Sequence, residues 1–256
     1  MTTTTEFVYD ITDDQFDTYH EMGYLVVGGL LSEAECDHIL SIMRRHANAD
    51  FAAILNADTP EFLKNQDPHC SEEKIAETTE IVRDLMKDAR IVSVLDRLQG
   101  REVVGLMCQM LFKEATTIYA KQAWRPHQDN NYARSPNKQY ITTNLFLEDA
   151  DVDNGTMYIF PGSHKEDLLP ARPHVSYREG KGENPGNEVE VPEQYEKVDL
   201  VVQKGDFLVL NGNVIHGSYA NTSSTRSRPL FSFSYITEGE EFIAGKTAQR
   251  TVISLR

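Results

Sequence analysis

Cysteine is scarce in this sequence of 256 residues, which contains three: Cys36, Cys70 and Cys108. The number is odd, and no two of them form a CxxC pair. A disulfide framework needs paired cysteines, and a thiolate zinc site uses closely spaced ones. The sequence therefore argues against both kinds of cross-link and indicates a reducing compartment.

Long apolar runs and positive charge are also lacking. No stretch approaches the roughly 18 consecutive apolar residues of a membrane span. The opening MTTTTEFVYD lacks the regions of a signal peptide, and the final SLR is not the SKL-type peroxisomal address. The 25 Lys and Arg against 40 Asp and Glu give a formal net charge of −15, which disfavours binding to nucleic acid or to an anionic membrane. We predict a cytoplasmic protein of open oligomeric state.

The hydrophobic pattern divides the chain into two regions. From about 12 to 100, apolar residues recur at helical spacing. Capping signals there predict helices over 12–20, 32–46, 71–87 and 90–98, with a strand at 24–27. From about 101 to 240, strand-like segments predict strands over 103–112, 116–120, 140–147, 156–160, 200–203, 206–210 and 229–236.

Helices followed by a run of strands are typical of a mainly β (α+β) domain. The strand count fits a double-stranded β-helix, a jelly-roll or cupin-like core, with an N-terminal helical buttress. No linker or repeat divides the chain, so we predict one domain over 1–256.

A long connection over 163–198 follows the fourth of these strands. Connections of this length are usually lids or binding loops, or else disordered. We expect a lid-like insert or specificity loop. Arg172 and Arg178 are its candidates for contact with an anionic substrate, although a single charged residue in a loop is more often simply solvated.

His127 and Asp129 form an HxD pair within WRPHQDNNY (124–132). Side chains two residues apart project from the same side of an extended segment, so the pair can hold one face of Fe(II), Mn(II) or Zn(II). His216, in NGNVIHGS (211–218), is a candidate third ligand. Two histidines and one carboxylate form the facial triad of non-haem Fe(II) oxygenases, which leaves three coordination positions open. An HxD pair also arises by chance, so its spacing alone does not establish a metal site.

Three blocks of this sequence resemble the phytanoyl-CoA dioxygenase family. They are WRPHQDNNY, DNGTMYIFPGSHK (153–165) and GDFLVLNGNVIHGS (205–218) followed by an arginine. The segment GYLVVGGLLSEAE (23–35) also resembles the opening of that family, so the resemblance covers about residues 14 to 236. It implies a double-stranded β-helix that uses Fe(II), 2-oxoglutarate as co-substrate, and O2.

The resemblance also implies roles by position. The iron ligands of the family correspond to His127, Asp129 and His216. The residues that hold or line 2-oxoglutarate correspond to Ser218, Asn144 and, by a weaker alignment, Gln109.

The arginine that would pair with the far carboxylate of 2-oxoglutarate is ambiguous by count. Spacing from His216 falls on Ser227, which Arg226 and Arg228 flank. Counting back from Tyr235, which closes the next strand, selects Arg228 instead. A guanidinium can bind a carboxylate through two parallel hydrogen bonds, and we predict that Arg228 is the residue that does so.

We predict a 2-oxoglutarate-dependent dioxygenase that hydroxylates a C–H bond of a small molecule and releases succinate and CO2. Asn131 and Tyr132, which follow Asp129, are candidate substrate contacts. Desaturation, epoxidation or cyclisation by the same cofactors stays open, as does a non-catalytic metal-binding β-helix protein. An isomerase of the cupin type is disfavoured, because it would not require the pair Ser218 and Arg228. The sequence does not identify the substrate.

Overall fold

The computed structural model describes residues 9–46, 52–55, 72–117, 119–174, 186–245 and 250–256. Its α-helices are α1 (Asp13–Met22), α2 (Glu33–His46), α3 (Glu72–Met86), α4 (Ala89–Gln99) and α5 (Asn130–Ala133). Its strands are β1 (Tyr24–Val27), β2 (Ala52–Leu55), β3 (Val103–Leu111), β4 (Trp124–His127), β5 (Tyr140–Phe146), β6 (Met157–Ile159), β7 (Ala171–His174), β8 (Gly186–Val189), β9 (Val198–Asp199), β10 (Phe207–Asn211), β11 (His216–Ser218) and β12 (Leu230–Thr237). Short 3-10 helices occupy Tyr119–Lys121, Val152–Asn154 and Ser163–Lys165.

The strands form two sheets that pack face to face. One sheet has six strands in the order β1-β10-β5-β12-β3-β2, and the other has four in the order β4-β11-β6-β9. The pairs are antiparallel, and β7 and β8 form a separate hairpin. Leu208 and Leu230 of the first sheet share one apolar cluster with Met157 and Ile159 of the second. Two antiparallel sheets joined by such a core are the architecture of a jelly roll, so the predicted fold class is confirmed.

β12 shows how the sequence builds the two faces of the larger sheet. Phe231, Phe233 and Tyr235 alternate with Ser232 and Ser234, and the whole strand is buried. The three aromatic side chains belong to the cluster that the N-terminal helices complete. The two serines line an internal pocket on the opposite face. Because side chains alternate across a strand, one segment serves both the apolar core and a polar cavity.

The N-terminal helices begin and end where the sequence predicts. Thr12 and Gln15 form a reciprocal capping box on α1, and Gly23 ends that helix in the left-handed region at φ 81°. Ser32 and Glu35 do the same for α2. α4 buries an apolar face of Ile91, Val92, Val94, Leu95 and Leu98. Each such side chain contributes about 1.5–3 kcal/mol when fully buried. None of the helices in the described ranges is long and apolar enough to cross a membrane.

Two predicted strands are wrong. In 116–120 the hydroxyl of Thr117 accepts a hydrogen bond from the backbone N–H of Ala120, which favours a turn and a 3-10 helix instead of a strand. In 200–203 only Val202 forms a β-bridge, because the chain has already left β9 and enters the turn before β10. The list of predicted strands also lacks β2, β4, the β7–β8 hairpin, β9 and β11. Two of these, β4 and β11, carry His127 and His216; the sequence indicated an extended segment at the first and none at the second.

Candidate metal centre and its pocket

β4 and β11 are neighbours in the four-stranded sheet and pair His127 directly with His216. β4 ends at His127, and Asp129 has helical backbone angles (φ −65°, ψ −30°) at the start of α5. The sequence predicts that both residues lie in one extended segment. This prediction is wrong for Asp129, which lies beyond the end of the strand. A turn brings the Asp129 carboxylate back to the histidines, and Asn130 fixes that turn by donating its N–H to the carbonyl of Gly212 at 2.8 Å.

The three side chains converge on one point. The Nε2 atom of His127 lies 3.4 Å from Oδ1 of Asp129, and the Nε2 atom of His216 lies 3.5 Å from Oδ2. The ligand atoms of all three residues lie within 4.8 Å of one another. This set is the arrangement that a metal with two imidazole ligands and one carboxylate ligand requires.

Backbone carbonyls orient both imidazole rings. The Nδ1 atom of His127 donates to the carbonyl of Arg125 at 2.7 Å, and that of His216 donates to the carbonyl of Val214 at 3.1 Å. With the proton on Nδ1, the lone pair of each Nε2 points at Asp129, as in metal-binding histidines generally. Burial lowers the pKa of His216 to about 4, although Asp129 opposes this shift, so this imidazole is neutral and able to bind metal at neutral pH.

Asp129 keeps its negative charge inside the protein. Burial by itself would raise the pKa of this carboxyl, but His216 and His127 hold it well below its usual range. The charge is therefore available to a cation throughout the physiological pH range.

A cavity of about 410 Å³ opens beside the three ligands. Three of its lining residues form a polar row across neighbouring strands: Ser232 of β12 pairs with Gln109 of β3 on one side and with Asn144 of β5 on the other. The Nδ2 atom of Asn144 is buried and has no hydrogen-bond partner among the described residues. A buried donor without a partner is costly, so this row is suited to a polar ligand.

The structure separates the two candidate arginines. Arg228 is 1% exposed and lines the cavity. Its guanidinium donates from Nε to the carbonyl of Gly155 at 3.1 Å and from one terminal nitrogen to that of Leu111 at 3.2 Å. Burial lowers its pKa to about 10, and none of the described carboxylates pairs with it. Arg226 instead pairs at the surface with Asp151 at 2.7 Å.

Lys113 is a buried cation that the sequence reasoning did not single out. It is fully buried, and its Nζ donates to Oγ of Ser218 at 2.8 Å and to the carbonyl of Tyr219. Burial lowers its pKa well below the usual range, and Arg228 adds to this shift. The only signal was an isolated lysine at the end of the apolar run of β3.

The model of the phytanoyl-CoA dioxygenase (PhyH) family matches residues 19–230, which is most of the chain. The chain belongs to the phytanoyl-CoA dioxygenase family. The matched range includes the three candidate iron ligands and Arg228.

Relatives and solved structures agree with this family. A phytanoyl-CoA dioxygenase of Arabidopsis thaliana is 23% identical over 258 residues, which cover 87% of each chain. The phytanoyl-CoA dioxygenase domain-containing protein 1 of Danio rerio is 26% identical over 280 residues, covering 91% of this chain and 92% of the relative. The epimerase SnoN, solved with Fe3+, alpha ketoglutarate and nogalamycin RO, is similar with a TM-score of 0.66 at 20% identity, covering 90% of this chain and 85% of SnoN. That last similarity shows a shared fold.

Iron and 2-oxoglutarate, the cofactors of this phytanoyl-CoA dioxygenase-family site, fit its residues. The two oriented Nε2 atoms and the Asp129 carboxylate face one another with no protein cation between them among the described residues. The unpaired guanidinium of Arg228 and the unpartnered Nδ2 of Asn144 supply donors for a carboxylate ligand in the same cavity.

The hairpin β7–β8 covers the open side of the cavity. Gly186 and Tyr132 both line it, and the Tyr132 hydroxyl accepts a hydrogen bond from the N–H of Asn187 at 2.7 Å. Glu188 pairs with Arg125, which follows Trp124 in the metal-binding strand, at 3.3 Å. Part of the predicted insert over 163–198 is therefore an ordered hairpin against β4.

Of the predicted substrate contacts, the structure places one in the cavity. Tyr132 lines it, whereas Asn131 lies next to it on α5 without lining it. Arg172 is a correction: its side chain is 79% exposed and pairs with Glu188 at 2.5 Å, so it faces solvent. Arg178 lies outside the described residues.

A second buried arginine in the cavity, Arg250, was missed. It is 6% exposed and lines the same cavity as the three candidate ligands. It lies in the C-terminal segment, beyond the residues that match the family model, and no pattern in the sequence marks it.

Proposed function

We propose that this protein is an Fe(II)- and 2-oxoglutarate-dependent dioxygenase that hydroxylates a C–H bond of a small molecule. The proposal rests chiefly on the convergence of His127, Asp129 and His216 in a cavity that also holds the unpaired guanidinium of Arg228. When bound, iron and 2-oxoglutarate supply an oxidant made from O2, with release of succinate and CO2.

The three ligands have distinct tasks. His127 and His216 present Nε2 atoms whose direction the carbonyls of Arg125 and Val214 fix. Asp129 supplies the negative charge that makes the site bind a cation in preference to a neutral ligand. Because the histidines belong to paired strands and Asp129 belongs to a hydrogen-bonded turn, the site is preorganised and loses little entropy on binding metal.

The far carboxylate of 2-oxoglutarate binds to Arg228 and Ser218. Arg228 has a terminal nitrogen without a partner in the described structure, and low polarity around it strengthens a charged pair. Lys113 donates to Oγ of Ser218 and so occupies one of its lone pairs. The hydroxyl proton of Ser218 is then free to point into the cavity, toward the carboxylate. Lys113 is thus a positioning residue for Ser218.

Gln109 and Asn144 line the middle of the cavity, one on each side of Ser232. Both residues line the same cavity as Arg228 and the metal ligands. We assign them to the 2-oxoglutarate site, where the Nδ2 of Asn144 would find the hydrogen-bond acceptor that it lacks in the described structure.

Turnover with a metabolite panel tests the proposal. Protein with Fe(II), ascorbate and 2-oxoglutarate is incubated with the panel, and succinate and product masses are measured. We expect succinate release coupled to a product heavier by one oxygen. His216→Ala should abolish both, whereas His164→Ala should retain them, since His164 contacts the carbonyl of His20, away from the cavity.

The product mass also separates hydroxylation from desaturation and cyclisation. Epoxidation of an alkene adds one oxygen as well and is distinguished from hydroxylation by NMR of the product. Loss of two hydrogens would indicate desaturation or cyclisation and would reject hydroxylation. Wild-type succinate formation by His216→Ala would reject the iron site itself.

A further inference from the structure

The end of the cavity away from Arg228 contains a cation, Arg250, that has no counter-charge among the described residues. The guanidinium of Arg250 donates from Nε to the Tyr140 hydroxyl at 3.2 Å and lies 5.5 Å from the centre of the Tyr140 ring. Tyr140 in turn donates to Oγ of Ser234 at 2.7 Å. No described residue accepts from the two terminal nitrogens of Arg250, and no described carboxylate forms an ion pair with it.

Arg228 and Arg250 lie at opposite ends of the cavity. Leu230 lies two residues after Arg228 and pairs with Phe146 at one end of the β12–β5 pair. The Tyr140 hydroxyl, which holds Arg250, contacts Ser234 toward the other end of β12. Four strand positions separate Leu230 from Ser234, or roughly 13 Å at the usual rise per residue. A 2-oxoglutarate held by Arg228 at one carboxylate and by the metal at the other therefore leaves Arg250 without a partner.

Anchoring of the C-terminal segment does not explain a buried Arg250. Ile253 exchanges two backbone hydrogen bonds with Gly105 at 3.0 and 2.8 Å, and Leu255 packs into the main core. Arg256 pairs with Asp96. These three contacts hold the C-terminal segment in place, so the charge of Arg250 is not needed to anchor it.

The charges around the metal also indicate that Arg250 needs an anionic ligand. Iron(II), the Asp129 carboxylate, doubly charged 2-oxoglutarate and the Arg228 guanidinium cancel one another. Among the described residues, Arg250 then remains without a compensating charge, and a buried unpaired charge is unfavourable unless a ligand pairs with it. Lys113 does not line the cavity, because it lies behind Ser218.

We infer that the substrate carries an oxyanion group, a carboxylate or phosphonate, which the terminal nitrogens of Arg250 bind beside Tyr140. This inference rests on the proposed function, because it assigns the other end of the cavity to 2-oxoglutarate. A guanidinium binds an oxyanion through two parallel hydrogen bonds, and the hydrogen bond from Nε to the Tyr140 hydroxyl holds this one in place. Tyr132 lies on the same side, since its hydroxyl is held by Asn187 of the covering hairpin.

Trp124 offers a direct measurement of binding. It is the only tryptophan in the chain, and it lines the cavity. Its emission can be followed while protein saturated with Mn(II) and 2-oxoglutarate is titrated with butanoate, hexanoate, benzoate, phenylacetate and phenylphosphonate. Each carboxylate is paired with its primary amide, which has nearly the same shape without the charge.

We expect at least one acid to bind about tenfold or more tightly than its matched neutral compound, the range of a charge-assisted hydrogen-bonded pair. Whether carboxylates or the phosphonate bind more tightly identifies the oxyanion. Arg250→Gln should remove the preference for the acid, and Arg250→Lys should keep part of it. Arg256→Gln, at an exposed arginine of the same segment, should leave it unchanged.

Equal binding of every acid and its neutral partner, including no binding by either, would overturn the inference, as would an unchanged preference in Arg250→Gln. The comparison in the wild-type protein stands even if that variant fails to fold. Binding of 2-oxoglutarate alone is measured in parallel by the same emission. If it binds and no acid is preferred, the substrate class is wrong and the proposed function stands; if it fails to bind, the proposed function fails.

Discussion

The two ends of the cavity are built from different parts of the chain. The polar row lies on the paired strands β3, β5 and β12, and Arg228 precedes β12 near the end of the family match. Arg250 comes from the C-terminal segment, and Gly186 comes from the covering hairpin. The end assigned to 2-oxoglutarate is thus formed by the two sheets, whereas the other end is formed by segments outside them. Variants at each end should affect different ligands, which the following experiments test.

Loss of a metal ligand should have the largest effect, because it disables both ends at once. Changing residues that merely orient a ligand costs about 10–100-fold in metal affinity, so loss of a ligand should cost more. We expect His216→Ala to weaken Mn(II) or Fe(II) binding by more than about 100-fold, measured by calorimetry under anaerobic conditions. His174→Ala is the control, since this buried histidine contacts the carbonyl of Ala123. Equal affinity in His216→Ala and in the control would exclude this ligand set.

Arg228→Ala should weaken 2-oxoglutarate binding without a matching loss for the substrate. Removing one side of a buried charge pair costs about 2–5 kcal/mol, roughly 30-fold to several-thousand-fold in affinity. Arg226→Ala should cost less than about 1 kcal/mol, because that arginine forms an exposed pair with Asp151. The KM for 2-oxoglutarate measures both. A larger effect at Arg226 would show that Arg226, and not Arg228, binds the co-substrate.

Gly186→Ala should affect the substrate end alone. A Cβ there would lie 2.5 Å from the Tyr132 hydroxyl and 3.1 Å from the Trp124 ring, so the hairpin must shift. Overpacking of this kind costs about 1–3 kcal/mol. We expect a higher KM for the substrate and an unchanged KM for 2-oxoglutarate. Gly28→Ala is the control, since its nearest neighbour lies at an ordinary 3.7 Å. Equal changes in both KM values would contradict the separation of the two ends.

Lys113→Met should have the smallest effect, which is a change in how the free energy of unfolding depends on pH. The folded protein holds the pKa of Lys113 below that of the unfolded chain, about 10.4. The unfolded chain therefore binds more protons in this window, and the free energy of unfolding gains a contribution as pH rises toward the unfolded value. Denaturant unfolding of Lys113→Met should lack that contribution, whereas Lys121→Met, at an exposed lysine, should keep it. A rise with pH that is the same in all three proteins would show that Lys113 does not titrate as a buried group.

The two histidines of the site follow from short motifs in the sequence. His127 and His216 then meet because β4 and β11 pair them directly, before the register shifts toward Ser218. The choice of Arg228 agrees with its position in the cavity, while its role stays a prediction. Asp129 was expected for the wrong geometric reason, because a two-residue spacing does not reveal that the strand ends between the two ligands.

Residues brought in from outside the strands could not be predicted. Arg250 reaches the cavity only through the path of the C-terminal segment, and a single arginine there has no periodic partner. Arg172 was misassigned because a charged loop gives no information on which carboxylate neutralises it, and Glu188 does so across the hairpin. The threonines at 116–117 favoured a strand, but their hydroxyl groups can also hold a turn.

The placement of Arg250 bears on how such an enzyme can diverge. None of the described residues after Ala244 forms a strand of either sheet. They join the larger sheet through the bridge between Gly105 and Ile253 and a hydrogen bond from the N–H of Thr251 to the carbonyl of Leu106. Substitutions at Arg250 or in its immediate neighbours can therefore alter the charge offered to a substrate without disturbing the iron ligands. Selection could retune substrate choice at the terminus while the oxidative chemistry in the barrel is inherited intact. For the same reason, an affinity tag for purification is better placed at the opposite end of the chain.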